Sequence, residues 1–123
     1  MSAEQVFSLC STIAMAGWAG LVLAPRWTVT RDWVAPVVGP LLIAGFYIWL
    51  MTSTTPPAGG GFGSLKEVTV LFSDPNLLLA GWIHYLAFDL FVGAWEVRDA
   101  QRHGIHHLLV IPCLFATLIA GPA

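Results

Sequence analysis

Residues 82–91 read WIHYLAFDLF. His84 and Asp89 stand in this otherwise apolar run with Tyr85 between them. The run belongs to a longer apolar segment, 75–98, that as helix measures roughly 36 Å at 1.5 Å per residue. That overshoots the ~30 Å hydrocarbon core of a bilayer. Asp89 lies about 14 residues, or ~21 Å, along it. An ionised aspartate facing lipid at that depth costs at least ~2.5–3.5 kcal/mol. Asp89 is therefore expected to face the interior of a helix bundle, either neutral or paired. Reading this segment as a membrane span decides the fold class.

The composition agrees. Of 123 residues, 57% are hydrophobic and 10% charged, and the mean hydropathy is +0.76. Soluble domains carry about 25% charged residues. The length suits a single transmembrane domain, 1–123. A net charge of −2 without a basic run excludes a nucleic-acid partner.

Three further spans follow from the same reasoning. Residues 5–24 hold no charge over about 20 positions, and Gly17 and Gly20 leave room for a neighbouring helix. Glu4 and the lack of Lys or Arg before this run argue against a secretory leader, so a retained helix is expected. Span 33–51 has Asp32 as its expected N-cap, and Pro40 is expected to kink it by removing a donor for the Pro36 carbonyl. After the loop TSTTPPAGGGFG, Ser64 and Glu67 match a capping box, and 64–72 reads as a short amphipathic helix on the membrane surface. Asp74-Pro75 should cap and open the third span. The fourth span, 105–123, is about 19 residues and ends in Gly121-Pro122-Ala123, where the chain is expected to continue. The expected architecture is thus all-α, an integral membrane four-helix bundle with an interfacial helix between spans 2 and 3. Loops 26–32 and 98–107 hold four of the five Lys and Arg residues. The positive-inside bias puts them in the cytoplasm and both termini on the opposite side.

At 100° per residue, Tyr85, Asp89 and Glu96 share one face of the third span, with Trp82 on it too. His84, Phe88, Phe91 and Trp95 share a neighbouring face. His84 and Asp89 sit about 140° apart, too far for a simple i,i+4 pair, but both can line one cavity. Two readings stand. Either Asp89 bonds Tyr85 or a hydroxyl on another helix as glue between spans, with His84 on a backbone carbonyl, or the two are an acid/base pair lining a substrate site.

His103, His106 and His107, in the string HGIHH, resemble part of a membrane iron-oxidase histidine box, and imidazoles suit iron. The chain has four histidines where such enzymes need about eight, and Gly104 should break the helix that would align them. An interfacial titratable loop is the plainer reading, and no metal is expected. Of six tryptophans, most fall near span ends as interface anchors, although Trp82 and Trp95 can also wall a groove for a flat ligand. Cys10 and Cys113 read as small buried hydrophobes, with no disulfide or zinc pattern. GGGFG lacks the Lys-Ser/Thr of a phosphate loop, and no G-x-S-x-G elbow is present.

The string LFSDPNLLLAGWIHYLAFDLFVGAW, followed by GIHH, a proline within the fourth span and a terminal GPA, resembles the neoxanthin-synthase-like membrane proteins, the abscisic-acid-deficient type. The resemblance covers about residues 6–123. It implies a small four-helix membrane protein of xanthophyll metabolism, whose members continue past the Gly-Pro. In plants the family is required to make neoxanthin from violaxanthin, a non-redox isomerisation that opens an epoxide and forms an allene. No cofactor is needed for that chemistry. Asp89 is the candidate acid at the ring oxygen, His84 the candidate base and Tyr85 the residue that orients either. Trp82, Phe88, Phe91, Trp95 and Glu96 are the candidate substrate contacts. The expected partners are membrane lipid and a carotenoid or other polyene, with a homo-oligomer or larger membrane complex possible. The alternatives are a non-catalytic pigment-binding or assembly subunit and a metal-dependent oxidase.

Overall fold

The computed structural model describes residues 2–120. The Gly121-Pro122-Ala123 end of the expected fourth span lies outside the described residues. Helix α1, Ala3–Leu23, begins slightly before the expected span because Ser2 and Gln5 cap it reciprocally. Ser2 Oγ accepts from the Gln5 amide at 3.2 Å, and Gln5 Oε1 accepts from the Ser2 amide at 2.9 Å.

The second span starts earlier than its sequence suggests, in a π-helical stretch, Val29–Val38, that runs into α2, Gly39–Ser53. Two expectations change here. Asp32 does not cap the helix. It lies inside the first turn, and its two carboxylate oxygens take Nε and Nη2 of Arg31, each at 2.8 Å. A bidentate charge-assisted bond outcompetes a neutral cap. Pro40 likewise does not interrupt a regular helix. It falls at the junction where the wide turns pass into α2, so its missing N–H coincides with the change of hydrogen-bond pattern. The adjustment is made upstream, where wide turns carry Pro36 and the Gly39 amide donates to Val34, five residues back.

Helix α3, Leu65–Leu71, is short, as expected. Ser64 Oγ accepts from the Glu67 amide, but the Glu67 carboxylate takes the amide of Gly63 at 2.8 Å rather than that of Ser64. Leu71 turns inward while Leu65 and Phe72 stay exposed. Asp74 caps α4, Pro75–Arg102, by accepting from Asn76 and Leu77. This helix runs a turn beyond the expected 75–98 and is about 42 Å long. Gly104 closes it in the left-handed conformation, φ 69°, with the Ile105 amide bonded to the Ala100 carbonyl.

Helix α5 is described over His107–Ala120, about 21 Å, and starts two residues after the expected 105. Among the described residues, three helices are long and apolar enough to cross a membrane: Ala3–Leu23, Arg31–Ser53 and Pro75–Arg102. There are no strands among the described residues.

Helix α4 is the axis of the fold, packed against α1, α2, α5 and the π-helical stretch. Two apolar clusters line it. One joins Val6, Cys10 and Ala14 to Ile43, Leu50 and Ile83; the other joins Trp18 and Leu21 to Leu90, Val97 and Leu114. Glycines let the helices close up. A Cβ on Gly17 or on Gly39 would come within 2.9 Å of Leu90, so this side chain is clasped between them. A Cβ on Gly93 would stand 2.6 Å from the Trp18 ring. Trp18 is thus a core residue rather than an interface anchor, at 3% exposure, whereas Trp27, Trp33, Trp49, Trp82 and Trp95 are exposed. Both cysteines are free, Cys10 buried as expected and Cys113 exposed.

Candidate functional site

The face of α4 that carries Tyr85, Asp89 and Glu96 is tied to α5. Asp89 is buried, at 3% exposure. The Tyr85 hydroxyl donates to the Leu118 carbonyl at 2.9 Å and also reaches the Asp89 carboxyl. One turn beyond Gly93, Glu96 Oε1 accepts from the hydroxyl of the fully buried Thr117 at 2.5 Å. Each carboxyl therefore has one oxygen on a hydroxyl. Its other oxygen, Asp89 Oδ2 or Glu96 Oε2, is buried without a hydrogen-bond partner among the described residues. Leaving such an atom unpaired in an apolar interior is costly, so two of them on one helix face mark a place of interest.

Tyr85 connects the buried Asp89 to an opening. Together with Trp82, Leu78, Phe72, Leu118 and Ile119 it lines an apolar groove of about 720 Å³ between α4 and α5. Trp82 is the shared wall of two grooves. It stacks on Tyr85 at 5.7 Å and on Phe7 at 6.1 Å, and the second groove, of about 430 Å³, lies on the α1 side with Ala3, Phe7 and Leu79. A long apolar ligand entering the first groove would meet a phenol whose neighbour is a buried carboxyl.

His84 looks elsewhere. It is exposed, stacks on Phe88 at 4.6 Å and tilts against Tyr47 of α2 at 5.4 Å. With Phe88, Phe91 and Trp95, all about half exposed, it forms an outward stripe along α4. The residues named from sequence thus divide. Trp82, Tyr85, Asp89 and Glu96 belong to the side facing α5, and His84, Phe88, Phe91 and Trp95 to the outer side. The partners of His84 and Asp89 are different.

The histidine string has structural employment. His106 Nδ1 accepts from the Leu108 amide and so caps α5. His107 Nε2 lies 2.9 Å from the Val22 carbonyl, one of the open carbonyls at the end of α1. His103 Nδ1 lies 2.9 Å from the Asp99 carbonyl. A carbonyl only accepts, so each of these two ring nitrogens donates. Among the described residues, no three His, Cys, Asp or Glu side chains lie close enough together to share a metal ion.

Two contributors to the site were not picked out from the sequence: Thr117 and the Leu118 carbonyl. A signal for the first was present, since Thr117 is the sole hydroxyl side chain in 105–120.

The family model described as ABA4-like, ABA DEFICIENT 4-like, matches residues 5–123. The chain belongs to this family. The expected resemblance is therefore met over nearly the whole sequence. The chain is also similar to Protein ABA DEFICIENT 4, chloroplastic, of Arabidopsis thaliana, with 25% identity over 111 residues. The similarity covers 84% of this chain and 50% of that relative, so the chain spans about half the relative's length. No solved structure matches the chain.

Proposed function

We propose that the chain is a membrane-embedded protein that modifies a carotenoid or xanthophyll, acting as a cofactor-independent isomerase of an epoxy-carotenoid or related polyene. Membership of the ABA DEFICIENT 4-like family supports the substrate class. The observation that carries the mechanism is the Tyr85–Asp89 contact at the side of an apolar groove. An apolar groove accepts a polyene, and a buried carboxyl behind a phenol can deliver a proton to an epoxide oxygen.

The hydrogen bonds favour Asp89 as the donor. Tyr85 has one hydroxyl proton and two acceptors in reach, the Leu118 carbonyl and the Asp89 carboxyl, and in this reading the proton goes to Leu118. With that bond made, the contact between Tyr85 and Asp89 needs its proton from the carboxyl side. In the reaction, the Tyr85 hydroxyl gives a proton to the ring oxygen as the C–O bond breaks, and the proton of Asp89 replaces it on the phenol oxygen. A base removes a proton from the adjacent vinylic carbon, and the electron pair of that C–H bond becomes the second double bond of the allene. One proton is given and one taken, with no oxidant or reductant. His84 serves as the base when the polyene crosses α4 from the Tyr85 groove to the outer stripe, along Trp82, Phe88, Phe91 and Trp95, with Glu96 at the far end of the inner face.

In this reading α5 supplies a fourth span, the arginine-bearing loops face the cytoplasm and both termini face the other way. A second reading keeps the membrane bundle and the pigment but not the reaction. The exposed stripe of His84, Phe88, Phe91 and Trp95 favours it, as a surface for a polyene held against a neighbouring subunit.

The two readings part on turnover. Purified protein in liposomes is given violaxanthin and the pigments are extracted and separated. The isomerase reading expects an allenic isomer to accumulate with time and in excess over protein. Pigment retained in stoichiometric amount and unchanged supports the binding subunit and contradicts the isomerase.

A further inference from the structure

All four arginines of the chain converge at one end of the helices. Arg26, Arg31, Arg98 and Arg102, with Asp32 and Gln101, line a pocket of about 440 Å³. They arrive from three places: the connection after α1, the π-helical stretch and the last turns of α4. The pocket is held in shape by side chains that bridge these elements. Arg31 Nη1 donates to Gln101 Oε1 at 2.7 Å, and Gln101 Nε2 donates to the Pro25 carbonyl at 2.7 Å. Two of the positive charges are already answered, Arg31 by Asp32 at 2.8 Å and Arg102 by Asp99 at 3.2 Å. Arg26 and Arg98 form no ion pair among the described residues. The pocket is therefore a preformed concavity with two guanidinium groups outside any ion pair, of which Arg98 gives its Nε to the Ala94 carbonyl at 3.4 Å.

The level at which it sits identifies its ligand. Exposed Trp27, Trp33 and Trp95 neighbour these arginines in sequence, and Trp95 lines the adjoining depression with Arg98 and Arg102. Exposed tryptophans at span ends mark headgroup depth. Guanidinium forks match phosphate oxygens in geometry, and basic pockets between spans hold anionic headgroups. We propose that this pocket binds the phosphate of an anionic phospholipid headgroup. The site lies outside the groove assigned to the polyene and does not depend on the xanthophyll reading, sharing with it only the placement of the helices in a membrane.

The test is native mass spectrometry of the full chain released from micelles containing phosphatidylglycerol or phosphatidylcholine. The wild type is expected to retain phosphatidylglycerol preferentially. Each arginine near an anionic surface contributes about fivefold in binding, so Arg26→Gln/Arg98→Gln should lose roughly twentyfold or more. Arg26→Lys/Arg98→Lys, which keeps both charges, should retain most of the preference, and Lys66→Gln should match the wild type. Arg26→Gln alone, at an exposed position, should lose about fivefold and keeps the test open if the double variant does not fold. Equal retention of the two lipids, or full retention by the glutamine variants, overturns the proposal. Displacement of the lipid by an equal concentration of inorganic phosphate also overturns it, by reassigning the pocket to a soluble anion.

Discussion

The inner and outer sides of α4 carry similar residues and treat them differently. Inside, Asp89 is buried and Glu96 half-buried, and each carboxyl is held by a hydroxyl, with one oxygen left over. Outside, His84 stacks on the ring of Phe88 and tilts against that of Tyr47. A polar group inside an apolar bundle costs free energy unless its lone pairs are met. The inner side meets half of them, and the outer side leaves an imidazole to whatever covers the helix. The difference leaves the inner side a set of side chains held by α5 and the outer stripe a set that α5 does not hold.

Substitutions can break this contrast, and the largest effect is expected at the close approach under the inner face. Gly93→Leu should destabilise the protein by about 3 kcal/mol or more, because the Trp18 ring occupies the space a side chain needs. Denaturant-induced unfolding in micelles checks this, and an unchanged midpoint would mean that Trp18 does not seat on Gly93. Glu96→Ala should cost about 1–3 kcal/mol, since it strands the fully buried Thr117 hydroxyl. Glu96→Gln should cost less than Glu96→Ala, as its amide oxygen accepts the same bond. Equal losses in the two variants would point to side-chain volume rather than the hydrogen bond. On the outer side, His84→Ala removes one ring stack from an exposed position and should cost no more than about 1 kcal/mol in the same assay.

The inward side of α4 was legible because it depends on one helix alone. Spacings of four and seven put Tyr85, Asp89 and Glu96 together whatever packs beside them. The Asp74-Pro75 start of α4, the Ser64 cap and the Gly104 stop were legible for the same reason, each being settled within a few residues. What the sequence hid needs a second element. Pairing Thr117 with Glu96 requires the register of α5 against α4, which no periodicity encodes. Trp18 reads as an interface anchor until Gly93 on another helix is known to receive it. Asp32 has the residue type and position of a cap, yet its neighbour Arg31 offers two charged donors at once. The separation of His84 from Asp89 was half legible. The angle between them was clear, but only α2 and α5 decide what each one meets.

The most direct test of the account is violaxanthin turnover in liposomes by wild type, Asp89→Asn and His84→Ala, with folding and bound pigment measured on the same samples. Loss of a general acid lowers rates by about 10²–10⁴-fold. A fall of that size is expected for Asp89→Asn, and one of the same order for His84→Ala, with the fold and the bound pigment retained in both. Turnover by Asp89→Asn at the wild-type rate would contradict the account, leaving the buried carboxyl as a bond between helices.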